Sequence, residues 1–175
     1  MTDPSPPPEP FKVVIAGGGV AALEAALALR ELGAERIEVT LVAPNEDFVY
    51  RPMTVREPFA YSAARRYDLA EIAADIGAGL IAERFASLDA ERRVARTESG
   101  AELHYDAILL ALGARPHARF PAAVTLDDTR LDELIGGLLE DVDGGYVHHL
   151  AFVIPARVAW PLPIYELALM TARRA

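Results

Sequence analysis

From Phe11 onward the chain alternates short apolar runs with longer amphipathic ones. Residues 13–16 (VVIA) are apolar and mostly β-branched, the pattern of a strand buried on both faces. Val20 to Leu32, rich in Ala and Leu, predicts a helix packed on a sheet, ended by Gly33 as a C-cap. Residues 37–42 (IEVTLV) predict a second strand and residues 43–47 (APNED) a turn. Residues 48–60 carry Phe48, Tyr50, Phe59 and two X-Pro steps without a period, which predicts an ordered loop packed on something flat. Asp68 predicts the cap of a helix over 69–76, closed by Gly77 and Gly79. A strand is expected over 80–88, a hairpin from Arg92–Thr97 and Glu102–Tyr105 around Ser99-Gly100, and a buried strand over 106–111 stopped by residues 112–116 (LGARP). Further on, Leu131, Leu134, Ile135 and Leu138 share one face of a helix predicted over 126–139, weakened in its second half by Gly136 and Gly137. Residues 143–145 predict a turn, 150–154 another apolar strand, and 161–174 a helix with proline in its first turn. The sum is an α/β chain: a parallel sheet of three-layer type with a small antiparallel β insert.

The first strand, the triplet Gly17-Gly18-Gly19 and the first helix make the opening half of a βαβ unit. The spacing Gly17-x-Gly19-x-x-Ala22 is the phosphate fingerprint of the Rossmann-like folds, with Ala in the third place. Gly17 permits the tight turn, Gly19 lets a pyrophosphate approach the backbone, and Ala22 allows close helix–strand packing. The first N–H groups of the helix then face an anion. A plain structural turn is the competing reading. In dinucleotide folds an acid just after the second strand binds the adenosine ribose. Here that position is Ala43, and the nearest acids, Glu46 and Asp47, come slightly late, so a solvated turn stands as the alternative for them.

Composition narrows the chemistry. At 52% hydrophobic residues the 175-residue chain supports a real core, enough for one domain or one and a fraction. A formal net charge of −9 argues against non-specific nucleic-acid binding, which needs basic faces. The absence of cysteine excludes a disulfide, a redox dithiol, a cysteine nucleophile and a thiolate metal site. The adjacent His148 and His149 would point to opposite faces of a strand, and no metal site is expected. The start, MTDPSPPPEP, reads as a disordered, proline-rich lead-in over residues 1–11 without a signal peptide, and no run is long enough to span a membrane; the expected location is cytoplasmic.

Strand, turn and helix at 12–30 are echoed at 150–174, with Glu24 and Glu166 each a few residues into the helix. The second copy reads PARVAWPLP where the glycines would be, so two ordinary βα units explain it equally well. For Glu166 the plain reading is a helix carboxylate near a positive N-terminus; no general acid or base is assigned.

Four stretches, VVIAGGGVAALEAA at 13–26, VTLVAPNEDFVYRP at 39–52, YDAILLALGARP at 105–116 and WPLPIYELAL at 160–169, resemble the flavoprotein oxidoreductases of the pyridine nucleotide–disulfide reductase superfamily, nearest to its type II NADH dehydrogenase and sulfide:quinone reductase branch. The resemblance implies FAD as cofactor and NAD(P)H as co-substrate. It implies that Gly17, Gly18, Gly19, Val20, Ala21 and Ala22 hold the FAD pyrophosphate, that Ala43, Pro44 and Glu46 meet the adenosine, and that Arg51 and Pro52 lie near the flavin ring. Arg84 and Phe85 would meet the adenine through the backbone. Ala111, Leu112 and Gly113 stand where the family has Ala-Thr-Gly, with Leu112 lacking the threonine hydroxyl; an ordinary strand end is the alternative there.

The implied activity is hydride transfer from NAD(P)H to flavin and then to an acceptor such as a quinone, although sulfide:quinone and disulfide chemistry need cysteines that this sequence lacks. The implied organisation is a first FAD-binding segment over 12–125, then a linker helix and the start of a truncated NAD(P)-binding domain over 126–175. A missing C-terminal half or a homo-oligomer would complete it. Two alternatives stand beside this reading: a truncated or non-catalytic dinucleotide-binding module, and a simple NAD(P) dehydrogenase, which the Arg-Pro loop and hairpin insert disfavour.

Overall fold

A computed structural model describes residues 9–127, 129–158 and 160–174. Most of the expected lead-in, residues 1–8, lies outside them; Phe11 already belongs to the first strand. The chain divides into two compact units, one made of the residues up to Val49 with Arg66–Ala114, the other of Tyr50–Arg65 with Arg115–Ala175.

In the first unit, β1 (Phe11–Ala16), β2 (Ile37–Val42), β5 (Gly79–Ile81) and β9 (Ala107–Leu110) form a parallel sheet in the order β5-β2-β1-β9. Alternation explains its two covered faces. Val13, Ile15, Val39 and Leu41 pack against Ala22, Leu23 and Ala26 of α1 (Val20–Gly33) and Leu69 and Ala73 of α2 (Leu69–Asp75). Val14 and Val42 pack with Ala95 of an antiparallel layer made of β6 (Phe85–Asp89), β7 (Val94–Thr97) and β8 (Glu102–His104), and with Tyr105 just past its end. A central strand buried on both faces must be apolar throughout, which is why residues 13–16 show no alternation. Ile15, Leu41 and Leu69 are fully buried, each worth about 1.5–3 kcal/mol over exposure. A separate ribbon pairs β3 (Asp47–Val49) with β4 (Arg66–Asp68), bringing Phe48 to 6.4 Å from the Tyr67 ring. At its end the Asp68 carboxylate accepts from the Ala70 and Glu71 N–H groups and caps α2.

The second unit contains a 3-10 helix (Arg51–Phe59), α3 (Leu131–Asp143) and α4 (Leu162–Arg174). Val55, Leu131, Ile135, Leu139 and Leu167 form its core, with Phe59, Phe152 and Met170 at the margin. Arg174 Nη2 donates to Asp143 at 2.7 Å, tying the ends of the two α-helices. Among the described residues no helix is long and apolar enough to cross a membrane.

Several expectations are corrected. Gly33 does not serve as the left-handed C-cap: it is the last helical residue, at φ −103°, and Ala34 takes φ +48°. The missing side chain at Gly33 instead makes room for Ile37, whose Cγ1 would lie 2.5 Å from a β-carbon there. The strand expected over 80–88 is broken, because the Glu83 N–H turns back to the Ile81 carbonyl (2.8 Å) and carries the chain from the parallel sheet into the antiparallel one. The strand after 106 is not buried throughout: Leu109 and Leu110 are exposed, since β9 is an outer strand. The loop over 48–60 contains the end of β3 and the 3-10 helix, and Asp47 leaves the predicted turn to start β3.

The helix expected over 126–139 starts at Leu131. Asp127 accepts from both the N–H and hydroxyl of Thr129 (3.0 and 2.7 Å), a turn that delays the helix, which then runs through Gly136 and Gly137 to Asp143. Residues 150–154 form no strand. Among the described residues of that unit no strand edge is present to bond them, and Phe152 packs on the helical core instead. The internal echo therefore fails at its first element.

Candidate functional site

The parallel sheet places its four strand exits at one end. β1 leaves toward β2 on one side, and the chain later crosses back to lay β9 on the other. The crevice at the carboxyl ends of strands where the order reverses is the ligand position of open α/β sheets. Here the exits are stitched together: Gly17 N–H donates to Val42 O (2.9 Å), Ala43 N–H to Ile81 O (3.0 Å) and Ala111 N–H to Ala16 O (2.8 Å).

Each glycine of the triplet has a distinct reason. Gly17 sits at φ +138°, and a β-carbon would run into the Ala111 carbonyl, 2.8 Å from its carbon, so β1 and β9 meet only if residue 17 has no side chain. Gly18 is packed from below: a β-carbon would lie 2.7 Å from Leu69 Cδ2 and 2.9 Å from Ala43 Cβ. Gly19 is different. It is exposed, has ordinary extended geometry (φ −90°, ψ −174°), and nothing approaches within 4 Å of its missing β-carbon. It is the N-cap of α1, with the Ala22 and Leu23 N–H groups returning to its carbonyl at 3.0 and 3.1 Å. Val20 and Ala21 are exposed, and by position their N–H groups have no intrahelical acceptor; Ala22 is fully buried against the sheet. The first turn of α1 holds no acid. The result is an open, uncharged cradle of backbone at a fourteen-residue helix N-terminus, a shape and polarity that suit a bound anion and suit the pyrophosphate of a dinucleotide.

Around the cradle, Ala43 is buried beneath Gly18, while Pro44 and Glu46 are exposed. The two late acids separate. Asp47 pairs with Arg66 across the ribbon at 3.7 Å, and the Glu46 backbone is fixed by Leu69 N–H donating to its carbonyl at 2.8 Å. Ala111 is half-buried beside Gly17; Leu112 is exposed, and Gly113 follows at φ +74°. Arg84 and Phe85 lie where the chain leaves β5, with Arg84 Nε 3.5 Å from Glu98 Oε1. Arg51 and Pro52 open the 3-10 helix and belong to the other compact unit, as does the half-buried Glu166 of α4. No group of His, Asp or Glu that could hold a metal occurs among the described residues.

Two features were not read from the sequence. One is Leu69 as the floor under Gly18. The other is the hydroxyl pair Thr97 and Ser99, whose Oγ atoms lie 3.1 Å apart and which meet Glu83 through Ser99 at 2.6 Å. The Thr-x-Ser-Gly turn is visible in the sequence, but its carboxylate partner is sixteen positions away and no local pattern connects them.

No protein among the curated sequences matches the chain. Solved structures resemble it in fold. The sulfide:quinone oxidoreductase of the hyperthermophilic bacterium Aquifex aeolicus is 23% identical, with a TM-score of 0.66 over 76% of this chain and 32% of its own. NDH2 of Plasmodium falciparum is 13% identical, with a TM-score of 0.61 over 82% and 31%. Putidaredoxin reductase, in its covalent complex with putidaredoxin, is 21% identical, with a TM-score of 0.60 over 94% and 48%. This chain thus spans 31% to 48% of the length of these neighbours. The sequence profile of the pyridine nucleotide-disulphide oxidoreductases matches residues 11–135, covering the glycine cradle and the whole parallel sheet, and the chain belongs to that family.

Proposed function

We propose that this chain is the FAD-binding portion of an NAD(P)H-dependent flavoprotein oxidoreductase. The observation that carries the reading is the open space at Gly19, between a strand end and a helix N-terminus, at the point where the strand order reverses. When bound, FAD supplies the hydride-accepting chemistry between reduced nicotinamide and an acceptor such as a quinone.

The chain's own part is binding and orientation. The Val20 and Ala21 N–H groups hold the pyrophosphate over Gly19, and Gly17, Gly18 and Ala22 keep the turn low and tight beneath it. Pro44 and Glu46 flank the adenosine at the end of β2, with Glu46 rather than the paired Asp47 as the ribose acceptor and Ala43 as packing under Gly18. Arg84 and Phe85 offer backbone to the adenine, and Ala111, Leu112 and Gly113 line the flavin side of the cradle. The role of Arg51 and Pro52 toward the flavin ring rests on the family resemblance alone.

A second reading, a dinucleotide-binding module without turnover of its own, is favoured by the second unit, whose described residues hold helices and no strand. Calorimetric titration with FAD, NAD and NADP separately tests the shared part of both readings: FAD is expected to bind most tightly, and tighter binding of NAD would overturn the assignment.

A further inference from the structure

Residues 82–84 leave the parallel sheet after β5 and reach the antiparallel layer at Phe85. Strand pairing does not hold this short link; the tip of the β7–β8 hairpin does. Glu98 N–H donates to the Arg84 carbonyl at 2.9 Å, and Arg84 Nε lies 3.5 Å from Glu98 Oε1. The Ser99 hydroxyl donates to Glu83 Oε2 at 2.6 Å. The Thr97 and Ser99 hydroxyl oxygens lie 3.1 Å apart, and Ala101 N–H donates to Thr97 Oγ1 at 3.2 Å. Backbone, two hydroxyls and the carboxylate form one connected network, and the buried Thr97 roots it in the antiparallel layer. The Ser99 and then the Thr97 hydroxyls hold the Glu83 carboxyl below its ordinary pKa, so it is an acceptor at neutral pH.

The hairpin does not need this contact to form, because Val94 already pairs with His104 and Arg96 with Glu102. What the contact fixes is the link. The link has a defined place in the site: Ala43 N–H binds the Ile81 carbonyl, and Ala43 supports Gly18, so β5 exits two strands along from the cradle at the same sheet edge. In this kind of fold the adenosine ribose lies at the end of the second strand. The base attached to it then falls past β2, at the exit of β5.

We propose that Glu83, held by Ser99 and Thr97, is a positioning residue that fixes the 82–85 backbone as the rest for the adenine of the bound dinucleotide. The proposal rests on the FAD reading. An ordered rest recognises the base edge without a dedicated side chain, and it loses that recognition when the clamp is released.

The test uses the full chain and two probes, FAD and its N6-deaminated (hypoxanthine) analogue, each titrated by calorimetry. Wild type is expected to prefer FAD. Ser99→Ala and Glu83→Ala are expected to weaken FAD about fivefold, the scale of one lost hydrogen bond, while leaving the analogue unchanged, so the preference collapses. Glu83→Gln keeps an acceptor oxygen and is expected to retain it. Ser99 is exposed in a turn, so Ser99→Ala keeps the fold even if Glu83→Ala does not. Equal loss for both probes, a preference that survives both alanine variants, or a wild type that binds FAD without discrimination would overturn the positioning role. A wild type that prefers NAD to FAD would overturn the FAD reading itself.

Discussion

Replacing Gly19 by Val separates the proposed ligand-binding role of the cradle from its folding role. The backbone there is extended (φ −90°, ψ −174°), which a β-branched residue adopts freely, and no atom lies within 4 Å of the new β-carbon. The folded state therefore gains no clash. It loses only the modest preference for Gly over Val at an N-cap, offset by the reduced freedom of the unfolded chain, so stability is expected to shift by about 1 kcal/mol or less. Binding is another matter. The two γ-methyls would stand in the space through which a phosphate reaches the N–H groups of Val20 and Ala21. Two hydrogen bonds to a charged acceptor are worth about 1.5–3 kcal/mol each, so a loss of roughly 3–6 kcal/mol is expected, or about two to four orders of magnitude in FAD affinity. Calorimetry with FAD, paired with a thermal melt followed by circular dichroism, reads both quantities. A variant that melts like wild type and binds FAD as tightly would refute the cradle and leave Gly19 as an ordinary turn residue.

Gly17→Ala should behave in the opposite way. Its φ of +138° and the Ala111 carbonyl beside it put strain and overlap into the folded state, so destabilisation of at least about 3 kcal/mol is expected in the same melt; a wild-type melting temperature would refute the packing argument. The chain alone, with excess FAD and a dye acceptor, is expected not to oxidise NADH at a saturable rate, because hydride transfer requires the nicotinamide held at near-attack distance and the described residues offer one cradle; saturable turnover abolished by Gly19→Val would refute it. The hairpin should loosen in acid. Glu102, held below its ordinary pKa by Arg96, and Glu83, held down by Ser99 and Thr97, both favour the folded form at pH values above the ordinary glutamate range, about 4.3, and lose that contribution as pH falls through their lower folded values. Amide protection factors at Ala101 are expected to drop over that acid range, and constant protection would contradict the clamp.

The sequence by itself determined the βαβ opening and the glycine turn within it. A continuous apolar run, a glycine triplet and an Ala-Leu helix are local signals, and local sterics fix what they build: β1, the turn and α1 stand where periodicity puts them. Residues 37–42 and the Asp68 cap were legible for the same reason. What failed was each inference that needed to know a neighbour. Residues 150–154 are as apolar as a strand, but a strand exists only against another; the described residues of their unit hold no strand edge, and Phe152 packs on the helices instead. Leu109 and Leu110 look like core, yet an outer strand leaves them exposed. Gly33 looks like a cap, but its absent side chain is used by Ile37. Within the site, the fingerprint named Gly17, Gly18 and Gly19 together, and only the tertiary structure gave them separate tasks: one lets two strands meet, one rests on a helix, one stays open. The Glu83–Ser99 contact belongs wholly to that second category. It joins residues distant in sequence through a sheet-to-sheet crossing, and contacts of that kind arise from folding geometry rather than from any spacing along the chain.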